Sequence, residues 1–332
     1  MRRTLIVALS VAAATLTVTA QTPQTTTLQL VSTAWSPFTN GPGQPRFALD
    51  LVEAALKRVN VKAATTIVDA GQFTPELLSG RYDGSGAAWK DADREKILLF
   101  SQPYLENRLV LIGRKGTDVR ATSLGALKGK RIGIVGGYAY GDIEAAGPTF
   151  VRTSSEEDSL TQLLQSKVDY TLMDDLVIQY IATNYAKEMQ TRLEVGSAPL
   201  VTRPLYFAVR RSRPDAAALI SRFNSQLIGL IADKTYHKLL HVDWIRADID
   251  GDGIPEDVPV SDKAGTTAPE HVYTLKMANP RPGEKEIPAT QRFYVGGTIY
   301  TDWKAVPNRY KVEDPLKPSS ANNTGSIFKF VW

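Results

Sequence analysis

The sequence predicts an α/β protein of two lobes followed by a β-rich extension. Three observations predict it. Strand-like and helix-like segments alternate from Leu28 to Trp244, the pattern of largely parallel sheets with helical crossovers. The segment Leu77-Leu78-Ser79-Gly80-Arg81-Tyr82-Asp83 returns as Leu163-Leu164-Gln165-Ser166-Lys167-Val168-Asp169, so helix, tight turn and strand occur in the same order in two halves. The composition then changes after an Asp/Gly cluster, and residues 260–332 are rich in Pro, Thr and aromatics. A length of 332 residues agrees, because single cores stop growing at roughly 250–300 residues.

The first residues read as an address. Met1-Arg2-Arg3 is a short positive start, and Thr4 to Leu16 is a small-apolar run. That run is shorter than the roughly 20 residues that span a bilayer. Val18-Thr19-Ala20 puts small residues at a cleavage position, so 1–20 is expected to be a secretory signal with Gln21 as the mature N-terminus. No cysteine follows to carry a lipid, and no later stretch could span a bilayer. The expected product is periplasmic, exported and not lipid-anchored. The net charge of +4 falls to +2 without Arg2 and Arg3, which argues for neither nucleic acid nor an anionic membrane as partner. The absence of cysteine excludes thiol nucleophiles, iron–sulfur clusters and cysteine-ligated zinc.

Along the chain, Leu28–Val31 alternates as a strand, and Trp35–Gly43 is loop by its Pro and Gly density. Phe47, Leu51, Ala55 and Val59 recur at helical spacing. Ile67-Val68 is a short strand. Thr74-Pro75-Glu76 is expected to open a helix with Pro at its first position and Gly80 as a left-handed cap. Lys130–Val135 is a strand that runs into a Gly-rich loop and a helix near Gly141–Ala146, and Tyr170–Met173 is another strand. Ala216–Trp244 is a long helical region with Leu219, Ile220, Phe223, Leu227, Leu230 and Ile231 on one side. In the extension, 272–277, 292–295 and 327–331 look like short strands.

These residues resemble the family 3 extracellular solute-binding proteins, the polar amino-acid receptors of ABC importers. The resemblance runs from about Leu28 to Trp244. It is carried by Trp35-Ser36-Pro37-Phe38, Phe47–Leu51, Leu78–Asp83, Arg94 through Tyr104, Leu124 through Ile134, and Val168-Asp169 through Asp174. It implies a type II periplasmic-binding-protein fold. Lobe 1 would hold 26–112 and 206–247, and lobe 2 would hold 113–205. The chain would cross near Ile112 and return near Tyr206. It also implies a monomer with no required cofactor and no chemistry on the ligand, which is handed to an ABC permease in the inner membrane.

The resemblance gives the site residues their roles. Arg94, after the N-cap candidate Asp91, would hold a ligand carboxylate, for which a planar guanidinium fork is suited. The turn Gly136–Gly141 could add backbone amides. Asp174, or Asp175 if the register is off by one, would accept the ligand ammonium. Trp35 and Trp89 would supply apolar surface, and Tyr138-Ala139 stand where the family has small hydroxyl residues. Further departures are Asp91 for a Ser or Thr, Ala48 for an acidic residue, and one residue too few between Asp83 and Arg94, which leaves the register of Trp89 and Lys90 open. The reading is a receptor for a small polar solute, an amino acid or related carboxylate. Two alternatives stand beside it: a cyclohexadienyl-dehydratase-like enzyme, and an accessory protein docking to a periplasmic partner through its extension.

Asp248-Ile249-Asp250-Gly251-Asp252-Gly253-Ile254-Pro255-Glu256 has carboxylates at alternate positions and a Gly at the sixth, as a calcium loop needs. Asp248, Asp250, Asp252, the Ile254 carbonyl and Glu256 are the candidate ligands of a structural Ca2+, with an acidic solvated linker as the other reading. Pro259 stands where such loops carry their last glutamate. His237 and His241 lie four apart on a helix with no third ligand evident.

Overall fold

The structure is a computed structural model that describes residues 26–270, 272–275 and 291–313. The expected signal segment, the strand at 327–331 and the end of that at 272–277 lie outside the described residues. Lobe 1 opens with β1 (Thr26–Thr33), α1 (Phe47–Arg58), β2 (Val61–Val68), α2 (Ala70–Ser79), β3 (Gly84–Ala88), α3 (Ala92–Ile97) and β4 (Leu98–Phe100). The chain crosses in β5 (Leu105–Arg114) to lobe 2: β6 (Arg131–Val135), β7 (Thr149–Thr153), α4 (Glu156–Leu164), β8 (Tyr170–Asp174), α5 (Asp175–Asn184) and α6 (Ala186–Arg192). It returns in the long β9 (Leu193–Arg210) to α7 (Ala216–Ala232) and α8 (Thr235–Leu240).

The strand order is β2-β1-β3-β9-β5-β8-β6-β7, with β4 also on β9. β1 runs parallel to β2 and β3, and β6 parallel to β7 and β8, as alternating strands and helices require. The antiparallel pair β5/β9 joins the lobes. Because β5 already pairs with β8 over Leu109–Gly113, the crossing falls at Leu105–Arg108, earlier than the expected Ile112.

The repeated heptad has a structural reason. Gly80 (φ +98) and Ser166 (φ +60) both take left-handed backbone after their helices. The aspartate that closes each copy then pins the first strand of its lobe. Asp83 accepts from the Gln29 amide and Asp169 from the Arg131 amide, each at 2.8 Å.

Other elements depart from expectation. α2 begins at Ala70, so Pro75 lies inside it. The helix expected near Gly141–Ala146 is only a short 3-10 turn at Glu144–Ala146, bounded by Gly141 (φ +82) and Gly147 (φ +113). The long helix breaks at Lys234 (φ +67) into α7 and α8. Its expected apolar side is buried: Leu219, Phe223, Leu227, Leu230 and Ile231 join the core with Leu49, Leu51 and Val52 of α1. Each such side chain contributes roughly 1.5–3 kcal/mol.

Five strands form a separate sheet: β10 (Trp244–Ala247), β11 (Glu256–Pro259), β12 (Tyr273–Thr274), β13 (Phe293–Val295) and β14 (Thr298–Tyr300), in the order β12-β10-β11-β13-β14. The Asp-rich segment is the tip of the β10/β11 hairpin. Phe293, Val295, Ala264 and Val306 give this sheet its own small core, while Ile245, Ala247, Val258 and Leu275 belong to the main one.

Candidate ligand-binding site

Arg94 sits in the first turns of α3, where Asp91 caps the helix by accepting the Arg94 amide at 2.8 Å. The side chain is 2 % exposed and turns into the crevice between the lobes. Its guanidinium donates to the Trp89 carbonyl at 2.8 Å, the Thr74 hydroxyl at 2.7 Å and, across the crevice, the Gly137 carbonyl at 3.2 Å. Nε has no hydrogen-bond partner and lies 3.4 Å from an Asp91 oxygen. Burial lowers its pKa, and the Asp91 carboxylate opposes that shift. The guanidinium is therefore a buried cation held by two neutral carbonyls and a hydroxyl. A carboxylate would be a stronger acceptor, since it adds a full negative charge and two oxygens that meet the guanidinium fork together.

Aromatic rings wall this chamber. Trp35 stacks on Phe38 at 4.2 Å and meets Trp89 edge-on at 5.7 Å. Tyr138 packs against both, at 5.7 Å from Trp35 and 5.6 Å from Trp89. Trp89 is oriented from behind: its indole N–H donates to Asn107 Oδ1 at 2.7 Å, and Asn107 Nδ2 donates to Asp174 at 2.9 Å. Trp35, Trp89, Arg94, Tyr138 and Ala139 thus meet at one chamber, together with Thr33, Phe73 and Leu205. Its volume is about 20 Å³, enough for one water.

The lobes are shut on it. Gly137 (φ +83) brings its carbonyl to Arg94 and to the Thr74 hydroxyl, the latter at 3.0 Å. The turn thus offers an acceptor to Arg94 where amides for an anion had been expected. The Tyr138 hydroxyl lies 3.3 Å from that of Thr33. A Cβ on Gly137 would lie 2.4 Å from the Ala70 carbonyl of lobe 1, so only glycine permits this approach.

Asp174 is placed differently from expectation. It is buried but does not line the chamber. Its oxygens accept from Asn107 Nδ2, from the Arg108 amide at 3.0 Å and from the Leu176 amide at 2.9 Å, so it caps α5 and fixes the crossing strand. Burial and the adjacent Asp175 push its pKa up. Asp175 faces a different cavity, 3.6 Å from Arg108 and beside Tyr273. Lys90, whose register was open, is half exposed and paired with Glu95 at 2.6 Å. Asp93 turns outward to Lys96 at 2.7 Å, so only Asp91 of the two aspartates stays beside Arg94.

Tyr138 also borders a larger cleft of about 920 Å³ between the N-terminal ends of α2 and α4. Three carboxylates line it, Asp69, Glu76 and Glu156, and no basic side chain is among its lining residues. Glu156 is 7 % exposed. Burial, then the neighbouring Glu157 and Asp174, push its pKa up to about 8. Glu76 turns one oxygen to Arg81 and leaves the other buried without a hydrogen bond. The sequence reading missed Glu156, Thr74 and Asn107. The repeat held a signal for the first: aligning the two heptads backward sets the starts of α2 and α4 at equivalent places, so both helix ends meet at one cleft.

In the Asp-rich hairpin, carboxylate oxygens of Asp248, Asp250 and Glu256 lie within 4.8 Å of one another. Asp252 accepts from Arg292 at 2.7 Å, and the same guanidinium also lies near Asp250 and Glu256. His237 is buried with Nε2 at 3.0 Å from the Val258 carbonyl, and no metal cluster among the described residues includes it.

Comparison with known proteins bears on the fold and the family. ABC transporter arginine-binding protein 1 of Escherichia coli (strain K12) is 28% identical over 201 residues, covering 58% of this chain and 79% of that protein. An arginine third transport system periplasmic binding protein from Legionella pneumophila superposes with a TM-score of 0.54 at 22% identity, over 65% of this chain and 98% of that one. An ancestral arginine-binding protein bound to glutamine gives 0.52 at 26% identity, over 64% and 95%. Among the described residues no helix is long and apolar enough to cross a membrane. The family profile of bacterial extracellular solute-binding proteins, family 3, matches residues 31–246, and the chain belongs to that family.

Proposed function

We propose that the protein captures an amino acid with a cationic side chain and delivers it to an ABC permease in the inner membrane. The observation that carries this reading is the polarity of the crevice. A buried guanidinium, Arg94, stands at one end, and three carboxylates line the adjoining cleft with Tyr138 between them. A carboxylate on Arg94 would replace uncharged acceptors with an anion that pairs bidentately with the guanidinium. An ammonium or guanidinium on the other side would meet Glu156, Asp69 and Glu76. The naming of the E. coli relative as an arginine-binding protein supports the cationic class. Tyr138 fills the space between the rings, so the ligand enters only when the lobes part and that side chain swings away.

Export to the periplasm through residues 1–20, as a soluble monomer, belongs to the same reading. The dehydratase alternative is not favoured, because Lys90 is held by Glu95 at the surface and the relatives are binding proteins. The docking alternative is not favoured either.

Calorimetry with arginine, lysine, histidine, glutamine and glutamate tests the proposal. The expected result is tight binding of a cationic member by the wild type and its loss in Arg94→Ala. Binding of none of the five, or binding that Arg94→Ala leaves intact, would overturn it.

A further inference from the structure

The hairpin tip at Asp248–Glu256 is already built around a positive charge. Arg292, next to β13, reaches into it and is largely buried. Its guanidinium donates to Asp252 at 2.7 Å and to the Ile254 carbonyl at 3.5 Å, and lies 3.5 Å from Asp250 and 3.1 Å from Glu256. The match is imperfect in two respects. Glu256 is 0 % exposed, yet its Oε1 has no hydrogen bond, and neither has Arg292 Nε, which faces it. The two atoms are close and misaligned. The charges do not balance either, since Asp248, Asp250, Asp252 and Glu256 bring four carboxylates against one guanidinium.

A hard divalent cation has no directional demand and takes six to eight oxygens. It would coordinate the Glu256 oxygen that Arg292 meets at 3.1 Å without an aligned hydrogen bond, and come closer to neutralising the loop than Arg292 does. Gly251 (φ +80) and Gly253 (φ +87) give the backbone its turn. The Ile254 carbonyl, already within reach of Arg292, faces the same centre.

We propose that this loop is a calcium site and that Arg292 of the extension is its internal competitor, occupying the centre when the ion is absent. The ion takes Asp248, Asp250, Asp252, the Ile254 carbonyl and Glu256, and the guanidinium withdraws from Glu256 and Asp250. The Arg292 backbone need not move, because its carbonyl accepts the Asp257 amide at 2.7 Å and holds β13 on β11. Calcium therefore stiffens the joint between lobe 1 and the extension, and it does so independently of the ligand in the cleft.

The experiment uses the whole mature chain after treatment with a chelator, titrated with calcium chloride by calorimetry and melted with and without the ion. The wild type is expected to bind one calcium in the roughly 10⁻⁴–10⁻³ M range of extracellular modules, with a higher Tm when loaded. Arg292→Gln is expected to tighten binding about 30-fold, the effect of removing a unit charge roughly 4 Å from a divalent ion in water-like dielectric. Asp250→Asn and Glu256→Gln are expected to weaken it tenfold or more. Asp250 is half exposed, so its variant folds even if loss of the buried Glu256 charge does not allow it. The absence of wild-type binding up to about 10 mM, well above that range, overturns the proposal. That holds even if Arg292→Gln binds, since the guanidinium would then be the permanent occupant. Binding unchanged by both carboxamide variants puts the ion elsewhere and overturns it equally.

Discussion

Gly137→Ala is the most direct perturbation of closure. An alanine Cβ would stand 2.4 Å from the backbone carbonyl of Ala70, and since a Cβ has no rotamer, none relieves it. The lobes would have to part by roughly 1 Å to restore ordinary contact. That separation breaks two bonds to the Gly137 carbonyl, from the Thr74 hydroxyl and from Arg94. In the liganded form the solute carboxylate has already taken the place of the Gly137 carbonyl on Arg94, so the loss that reaches affinity is the neutral Thr74 bond, about 1 kcal/mol or roughly fivefold. The left-handed backbone at 137 adds a separate strain of roughly 1–3 kcal/mol, but this burdens the open and closed forms alike and shows as a lower Tm only. Calorimetry gives the affinity, small-angle scattering the separation of the lobes, and a thermal melt isolates the strain. An affinity within twofold of wild type, with an unchanged radius of gyration, would refute the reasoning that closure at Gly137 couples to binding.

Two further outcomes follow from buried titrating groups. Glu156 ordinarily titrates near 4.5 and here near 8, so the stability of its protonated form is fully present below 4.5 and is lost as pH rises through 8. A cationic ligand reverses that preference, and binding at pH 7 should release close to one proton. Calorimetry in buffers of different ionisation enthalpy reads this directly, and Glu156→Gln should abolish it; buffer-independent heats at pH 7 would contradict it. His237 is depressed from 6.5 to about 4 by burial, so the stability it contributes is present above 6.5 and is lost as pH falls toward 4. The loss reaches about 3 kcal/mol. Urea unfolding at pH 7 and pH 4 should show it in the wild type, and a His237→Gln variant should show correspondingly less.

Much of this arrangement was legible from residue order. The heptads ending in Asp83 and Asp169 marked two equivalent halves because each aspartate must meet the amide of its lobe's first strand. Arg94, Trp35 and Trp89 were singled out by the family resemblance, with Asp91 marking a helix start, and the structure places all three at one chamber. What local pattern could not supply was long-range. The cleft lined by Glu156 depends on two helix ends that are far apart in sequence. Asp174 had two compatible roles, ligand acceptor and N-cap; in the structure it caps α5 and also accepts from the Arg108 amide of the crossing strand, which no local pattern announces. Pro75 suggested a helix start, but α2 already begins at Ala70 and buries Phe73 ahead of the proline. Arg292 gave no sign of its role, since its partners lie 36 or more residues before it.

Binding as proposed rests on the Arg94 guanidinium in the crevice gripping the carboxylate of the solute. Calorimetry of the amino acid that binds most tightly, against the same molecule with its α-carboxylate replaced by a neutral amide, tests it most directly. The expected result is a loss of about a hundredfold for the amide with wild-type protein and little further loss in Arg94→Ala. Equal affinity for acid and amide in the wild type would contradict it.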